Sequence, residues 1–325
     1  MKNLDRKHLP YWIAVAFGVA YGVVSQAVIR VDSLHSLYGA MSFGFVFILP
    51  FILGFITLWF ASTEQRSSWL FRIFAPWATI SLSLLFSLVI GWEGAICMIM
   101  AGIIYLPLAS LGGIISGLVL SRVDRNRLSS SVLASLLSLP FVSAYFESYS
   151  NLSTLFDTAE TAIIIEAPPE IIWENIIRVR PITKKLDGVF YKLGFPKPIE
   201  ATLSHEGIGG IRNASFERGL TFIETVDVWE KEKKLSFTIA SDPNSTPTTT
   251  LDEHVVVGGR YFDVLRGTYE IEVNSPRSCT LKLSSELRIS TRFNFYAGVW
   301  ARFLMLDIQQ TILKVIKERA ENSNP

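Results

Sequence analysis

The densest set of reactive side chains in the chain is Asp252-Glu253-His254, followed by Val255–Val257 and then Gly258-Gly259-Arg260-Tyr261. An imidazole and a carboxylate within hydrogen-bond reach of one substrate form a general acid/base pair, and a strand edge at a cavity mouth is a place to hold one. Three consecutive residues do not all face one way on a strand, so the set does not converge as a whole. A solvated hairpin is the plainer account of the same residues. Asp307 is a second candidate. It follows Phe303 by four residues and Trp300 by seven, hence on roughly their face of a helix. A carboxyl turned toward an apolar cavity would carry a raised pKa and a functional role, whereas at a rim it would pair with a basic neighbour. Trp173, Tyr261, Tyr269, Trp300 and Phe303 are the aromatic side chains assigned to ligand contact, although rings of this size serve equally as core. His205-Glu206 is a weaker pair.

Other chemistry is poorly supplied. There are four histidines, two of them (His8, His35) beside apolar segments, and two distant cysteines, Cys97 and Cys279. These do not provide a metal-ligand set or a disulfide framework, so no metal and no cofactor is expected. Residues 151–325 contain no G-x-S-x-G elbow, phosphate-binding loop or dinucleotide fingerprint.

The elements that must position these residues fall into two regimes. The 325 residues are 50% hydrophobic and 18% charged, with mean hydropathy +0.35. Residues 1–150 hold nine Lys and Arg and six carboxylates; residues 151–325 hold 21 basic and 23 acidic side chains. A membrane domain (1–150) followed by a soluble domain (151–325) is therefore expected. The soluble half has a net charge of −2, which gives a nucleic-acid partner no electrostatic support.

A membrane-crossing helix needs roughly 20 predominantly apolar residues. Five spans are expected: Tyr11 to Ile29, Leu37 to Phe60, Phe74 to Ile90, Ala95 to Leu120 and, as the shortest, Ser131 to Phe146. Basic residues flank them asymmetrically. Lys2, Arg6, Lys7, Arg66, Arg72, Arg122, Arg125 and Arg127 lie on one side by this count, against Arg30 on the other. Because Lys and Arg are retained on the cytoplasmic side, the N-terminus is expected there, and five crossings would put the soluble domain on the opposite side; if Ser131–Phe146 is instead an interfacial or re-entrant segment, the soluble domain is on the cytoplasmic side. Ala14, Gly18, Gly22 and Ala109, Gly113, Gly117 recur at four-residue spacing, which permits close helix contact within one bundle or in a homo-oligomer.

In the soluble half, Thr161–Ile165 is a β-branched run, and Ala167-Pro168-Pro169-Glu170 opens a helix through Ile177. From Ile199 the apolar period becomes two. Leu235, Phe237, Ile239, then Tyr269, Ile271, Val273, then Leu281, Leu283, Leu287, Ile289 alternate with polar neighbours. That is the pattern of an antiparallel sheet covered on one face. Glu230-Lys231-Glu232-Lys233 and Asn274-Ser275-Pro276-Arg277 are its turns, and a long helix from Tyr296 to Glu321 closes the domain.

The segment Ile165-Glu166-Ala167-Pro168-Pro169-Glu170-Ile171-Ile172-Trp173-Glu174, with the strand series and the closing helix, resembles the helix-grip superfamily. That superfamily includes START lipid-transfer domains, Bet v 1-like proteins and polyketide cyclase/dehydrase-type (SRPBCC) proteins. The resemblance covers Thr161 to Asn322 and implies a curved antiparallel sheet wrapped on a long C-terminal helix, behind an α-helical transmembrane bundle. Such proteins bind or transform many hydrophobic ligands, and some bind other proteins; joined to the apolar first half, the resemblance makes a membrane-anchored domain that binds a hydrophobic small molecule or lipid beside the bilayer the first expectation. Two other functions stay open: a cyclase/dehydrase-type enzyme acting through His254, and a membrane assembly module. A cavity separates the first two from the third, which a filled interior would favour.

Overall fold

The computed structural model describes residues 11–31, 41–123, 130–184, 186–241 and 257–323. Asp252, Glu253 and His254 lie outside the described residues. The chain forms two compact units, Met1–Asn151 and Leu152–Pro325.

Among its described residues the first unit is built from helices: α1 (Tyr11–Ile29), α2 (Leu49–Trp59), a short α3 (Thr63–Ser67), α4 (Trp69–Ile90), α5 (Ala95–Arg122) and α6 (Ser130–Ser148). Helices α1, α4, α5 and α6 are long and apolar enough to cross a membrane. The expected second span is the short one. A π-helical turn, Gly44–Ile48, runs into α2, and together they stop at Trp59. Pro50 accounts for the irregularity, since it brings no N–H to the ladder and the helix widens in front of it. The fifth expected span, by contrast, is a regular 19-residue helix that continues past Pro140.

Small residues let these helices touch backbone to backbone. A Cβ on Gly54 would lie 1.8 Å from the Ala109 carbonyl oxygen, and one on Gly112 would lie 1.9 Å from that of Phe51. In α1, Gly18 faces Thr57 and Thr79, and Gly22 faces Leu53 and Ser83. In α5, Gly113 meets the Arg72 carbonyl and Gly117 lies beneath the Arg72 side chain. Both small-residue stripes are thus covered within one chain, where the missing side chains allow close van der Waals packing of the helices. Glu147 closes the bundle by accepting hydrogen bonds from the backbone N–H groups of Phe43 (2.7 Å) and Gly44 (3.0 Å).

The second unit has the expected helix-grip architecture. Its strands are β1 (Leu155–Ile165), β2 (Pro198–Leu203), β3 (Ile211–Phe216), β4 (Thr221–Glu230), β5 (Lys234–Ser241), β6 (Phe262–Ser275) and β7 (Ser278–Ile289). They form one antiparallel sheet in the order β1-β7-β6-β5-β4-β3-β2. Helices α7 (Pro169–Ile177) and α8 (Val189–Lys192) interrupt the strands, and α9 (Asn294–Asn322) closes the unit. The period-two rule is clearest in β7, where Cys279, Leu281, Leu283, Leu287 and Ile289 are buried. Strand β1 begins six residues before the apolar run that marks it. Its first half, Leu155–Glu160, is held by pairing with Ile289–Ser284 of β7 rather than by its own hydrophobicity. One end of the sheet–helix interface is solid core, built from Trp173, Ile176, Leu235, Leu281, Leu313 and Ala320 among others.

Candidate functional site

The opposite end of the interface is hollow. A cavity of about 130 Å³ lies between the sheet and α9. In the same measure a single water needs roughly 10–15 Å³, so the space suits an organic ligand rather than a lone solvent molecule. Inward positions of the sheet supply Ala214, Phe216, Phe237 and Phe262, and α9 supplies Leu304, Met305 and Ile308. Strand β6 keeps the correct phase through a bulge between Val264 and Arg266, so that Phe262 and Val264 before it and Gly267 and Tyr269 after it all reach the cavity. Gly267 leaves space for the Phe237 ring, which a Cβ would approach to 2.6 Å.

Three charged residues enter this apolar lining: Glu200 of β2, which is half-buried, and two that are buried. Arg212 of β3 and Glu224 of β4 are direct cross-strand partners and form a buried ion pair through Arg212 Nη1 and Glu224 Oε2. They are only 3% and 6% exposed. The guanidinium lies over the Phe237 ring, 5.1 Å from its centroid, and the Tyr269 hydroxyl stands against it as a further polar neighbour. Burial pushes the Glu224 carboxyl above its ordinary range, and Arg212 opposes that shift without cancelling it. Burial also pushes the Tyr269 phenol upward. For Arg212, burial is the largest influence and acts to lower the pKa, but the charges and hydrogen bonds of Glu224 and Tyr269 together outweigh it and hold the guanidinium above its ordinary value. Arg212 Nε is buried and has no hydrogen-bond partner among the described residues.

Gln309 completes the polar set from the helix side. Its Nε2 donates to the Ala159 carbonyl (3.0 Å) and to Ser285 Oγ (2.9 Å), and its Oε1 accepts from Thr161 Oγ1 (2.9 Å). It lines the cavity while fixing α9 to β1 and β7. Among the described residues, no three His, Cys, Asp or Glu side chains gather as a metal site.

Of the residues singled out in the sequence, Tyr269 lines the cavity. Trp173 is elsewhere: it is 2% exposed in the solid core, edge-on to Trp229 at 5.1 Å. Tyr261 is half-buried outside the lining, with the Arg260 guanidinium 5.7 Å from its ring. Trp300 and Phe303 also lie outside it. Phe303 is 48% exposed and packs edge-on against Phe190 at 5.2 Å. The reason is helical phase, because the stripe that meets the cavity runs through Leu304, Met305 and Ile308, one position round from Phe303. Asp307 shares the outer stripe. Its Oδ2 accepts from the Phe190 backbone N–H at 3.1 Å, capping α8 from a distance. Asp307→Ala is accordingly expected to cost about 1–2 kcal/mol of stability, read by thermal unfolding, with ligand occupancy unchanged. Loss of occupancy without a stability change would return Asp307 to the binding site. His205 and Glu206 sit on a surface turn, where Glu206 pairs with Arg178 at 3.0 Å.

Arg212, Glu224 and Gln309 were not singled out. A sequence signal existed for the first two: each occupies the inward phase of its strand, Arg212 with Ala214 and Phe216, and Glu224 with Phe222 and Val226. A charge in an apolar phase marks a site, because an unpaired charge there is prohibitively costly.

No family model and no curated protein matches the chain. Solved structures match about half of it. A START superfamily protein from Mycobacterium smegmatis is 12% identical, covering 51% of this chain and 99% of its own, with a TM-score of 0.34. Truncated norcoclaurine synthase from Thalictrum flavum is 13% identical over 52% of this chain and 98% of its own, with a TM-score of 0.31. The Zhui aromatase/cyclase of a Streptomyces species is 13% identical over 53% of this chain and all of its own, with a TM-score of 0.32.

Proposed function

We propose that the C-terminal unit binds a hydrophobic small molecule or lipid and that the helical unit anchors it in a membrane. The observation that carries this reading is the apolar cavity between sheet and α9, with its single buried ion pair. Apolar burial is worth roughly 25 cal/mol per Å², so such a lining supplies affinity while one polar cluster fixes orientation. The open interior also weighs against a pure assembly module. Native mass spectrometry of the full chain is expected to show bound hydrophobic material. Ala214→Phe, which places a ring in the cavity, should reduce its occupancy at least tenfold while the protein remains folded. Unchanged occupancy in folded Ala214→Phe would reject this cavity as the site.

A second reading, an enzyme of cyclase or dehydrase type, is favoured by one observation. Glu224 and Tyr269 are titratable groups gathered on Arg212 inside the cavity, so acid/base chemistry does not require His254. Its test is whether bound material leaves the protein chemically altered.

For the anchor, we propose five crossings, with Gly44–Trp59 as the short one, a cytoplasmic N-terminus and the C-terminal unit on the far side. Ile208 is 71% exposed on a turn of that unit. In a chain with Cys97 and Cys279 replaced by serine, Ile208→Cys is expected to react with an impermeant thiol reagent in intact cells. Protection until lysis would favour an even number of crossings.

A further inference from the structure

Resting on the ligand-binding reading above, we propose that the cavity takes an uncharged apolar ligand bearing one neutral oxygen acceptor, seated on Arg212 Nε–H, and that Glu224 excludes carboxylates. The donor inventory leads to the acceptor. A guanidinium presents five N–H groups and accepts none. In this site Nη1 is committed to Glu224, Tyr269 stands against the group, and the Phe237 ring lies under the guanidinium. The Nε–H alone is buried with no partner among the described residues. Most of the remaining lining is aliphatic or aromatic, as at Ala214, Phe216 and Ile308, so a bound molecule is the natural source of the missing acceptor.

The charge balance decides which acceptor. Arginine stays protonated, and with Glu224 ionised the pair is formally neutral. A ketone, ester or hydroxyl oxygen leaves that balance intact and strengthens the Nε–H contact in a low-dielectric setting. A carboxylate would bring a second negative charge to a guanidinium already neutralised, and the like charges would face each other with little screening. Selectivity therefore comes from Glu224 acting against the wrong ligand as much as from Arg212 acting for the right one.

The test uses the full chain in detergent micelles, stripped of bound material, with methyl octanoate, octanoate and octane compared by native mass spectrometry. Wild-type protein is expected to bind methyl octanoate at least tenfold better than either of the others. Glu224→Gln should invert the order of ester and carboxylate, because the guanidinium is then unpaired. Arg212→Met should bind ester and octane alike. Octanoate binding to wild type as tightly as the ester would overturn the proposal, even where neither variant folds. If none of the three binds, the ligand-binding reading itself fails, and this proposal with it.

Discussion

Arg212→Met is expected to destabilise the C-terminal unit by about 3–5 kcal/mol, because it leaves a buried carboxylate without its counter-charge. The lost hydrogen bond is the smaller part of that cost. In the double replacement Arg212→Met with Glu224→Leu, both charges are gone and the space is filled by apolar groups. Stability should then return to the wild-type level or exceed it, by up to about 4 kcal/mol. The single variant also carries a pH signature. A carboxyl with a folded-state pKa above its unfolded value contributes stability that is fully present below the unfolded value and is lost as pH rises through the folded one. Glu224 is already raised by burial above 4.5, and removing Arg212 raises it further. The penalty should therefore be smallest in acid and grow toward neutrality. Thermal and denaturant unfolding of the three proteins from pH 4 to 8 would show this. A double variant as unstable as the single would mean that the pair contributes to stability rather than being held for the ligand.

Trp173→Ala should produce a loss of similar size for a different reason. The indole is fully buried in the solid part of the sheet–helix interface, with Trp229 at its edge, and its removal leaves a void that neighbouring strands cannot close. Large aromatic truncations of this kind cost about 3–5 kcal/mol. Ligand occupancy per folded molecule should stay unchanged, since Trp173 is absent from the cavity lining. The informative measurement is occupancy at a temperature where the variant is still folded. Occupancy lost there with no shift in unfolding temperature would move Trp173 into the binding site.

The contrast between Trp173 and Tyr269 shows what a sequence conveys about such a domain. Alternation in β7 and the turn at Glu230–Lys233 were legible because each strand has one dry face, and a period-two pattern records it directly. The long closing helix was legible from its uninterrupted length. Whether a dry face meets another element or a cavity is not written in that pattern, as both demand apolar side chains. Trp173 and Tyr269 read alike for this reason. Trp300 and Phe303 were misleading in another way. They are large and apolar yet sit on the outer stripe of α9, where Phe190 rather than the cavity receives Phe303. The N-terminal half was legible as apolar helices but not in their lengths, since the effect of Pro50 on the ladder depends on what the helix does in front of it.

The attachments of α9 bear on how quickly a ligand could leave. Besides the Asp307 cap on Phe190, Arg319 donates to the carbonyls of Arg180 and Pro181, both at 2.9 Å, and Lys184 pairs with Glu318 at 2.8 Å. The helix and the stretch from Arg180 to Phe190 are thus bound together at three levels, while Gln309 fastens the same helix to the sheet. Lifting the helix from the cavity would break these attachments together rather than in sequence. Dwell time inside the cavity would then be governed by a single cooperative breathing event, whose rate rises steeply with temperature and should match the amide hydrogen exchange of α9.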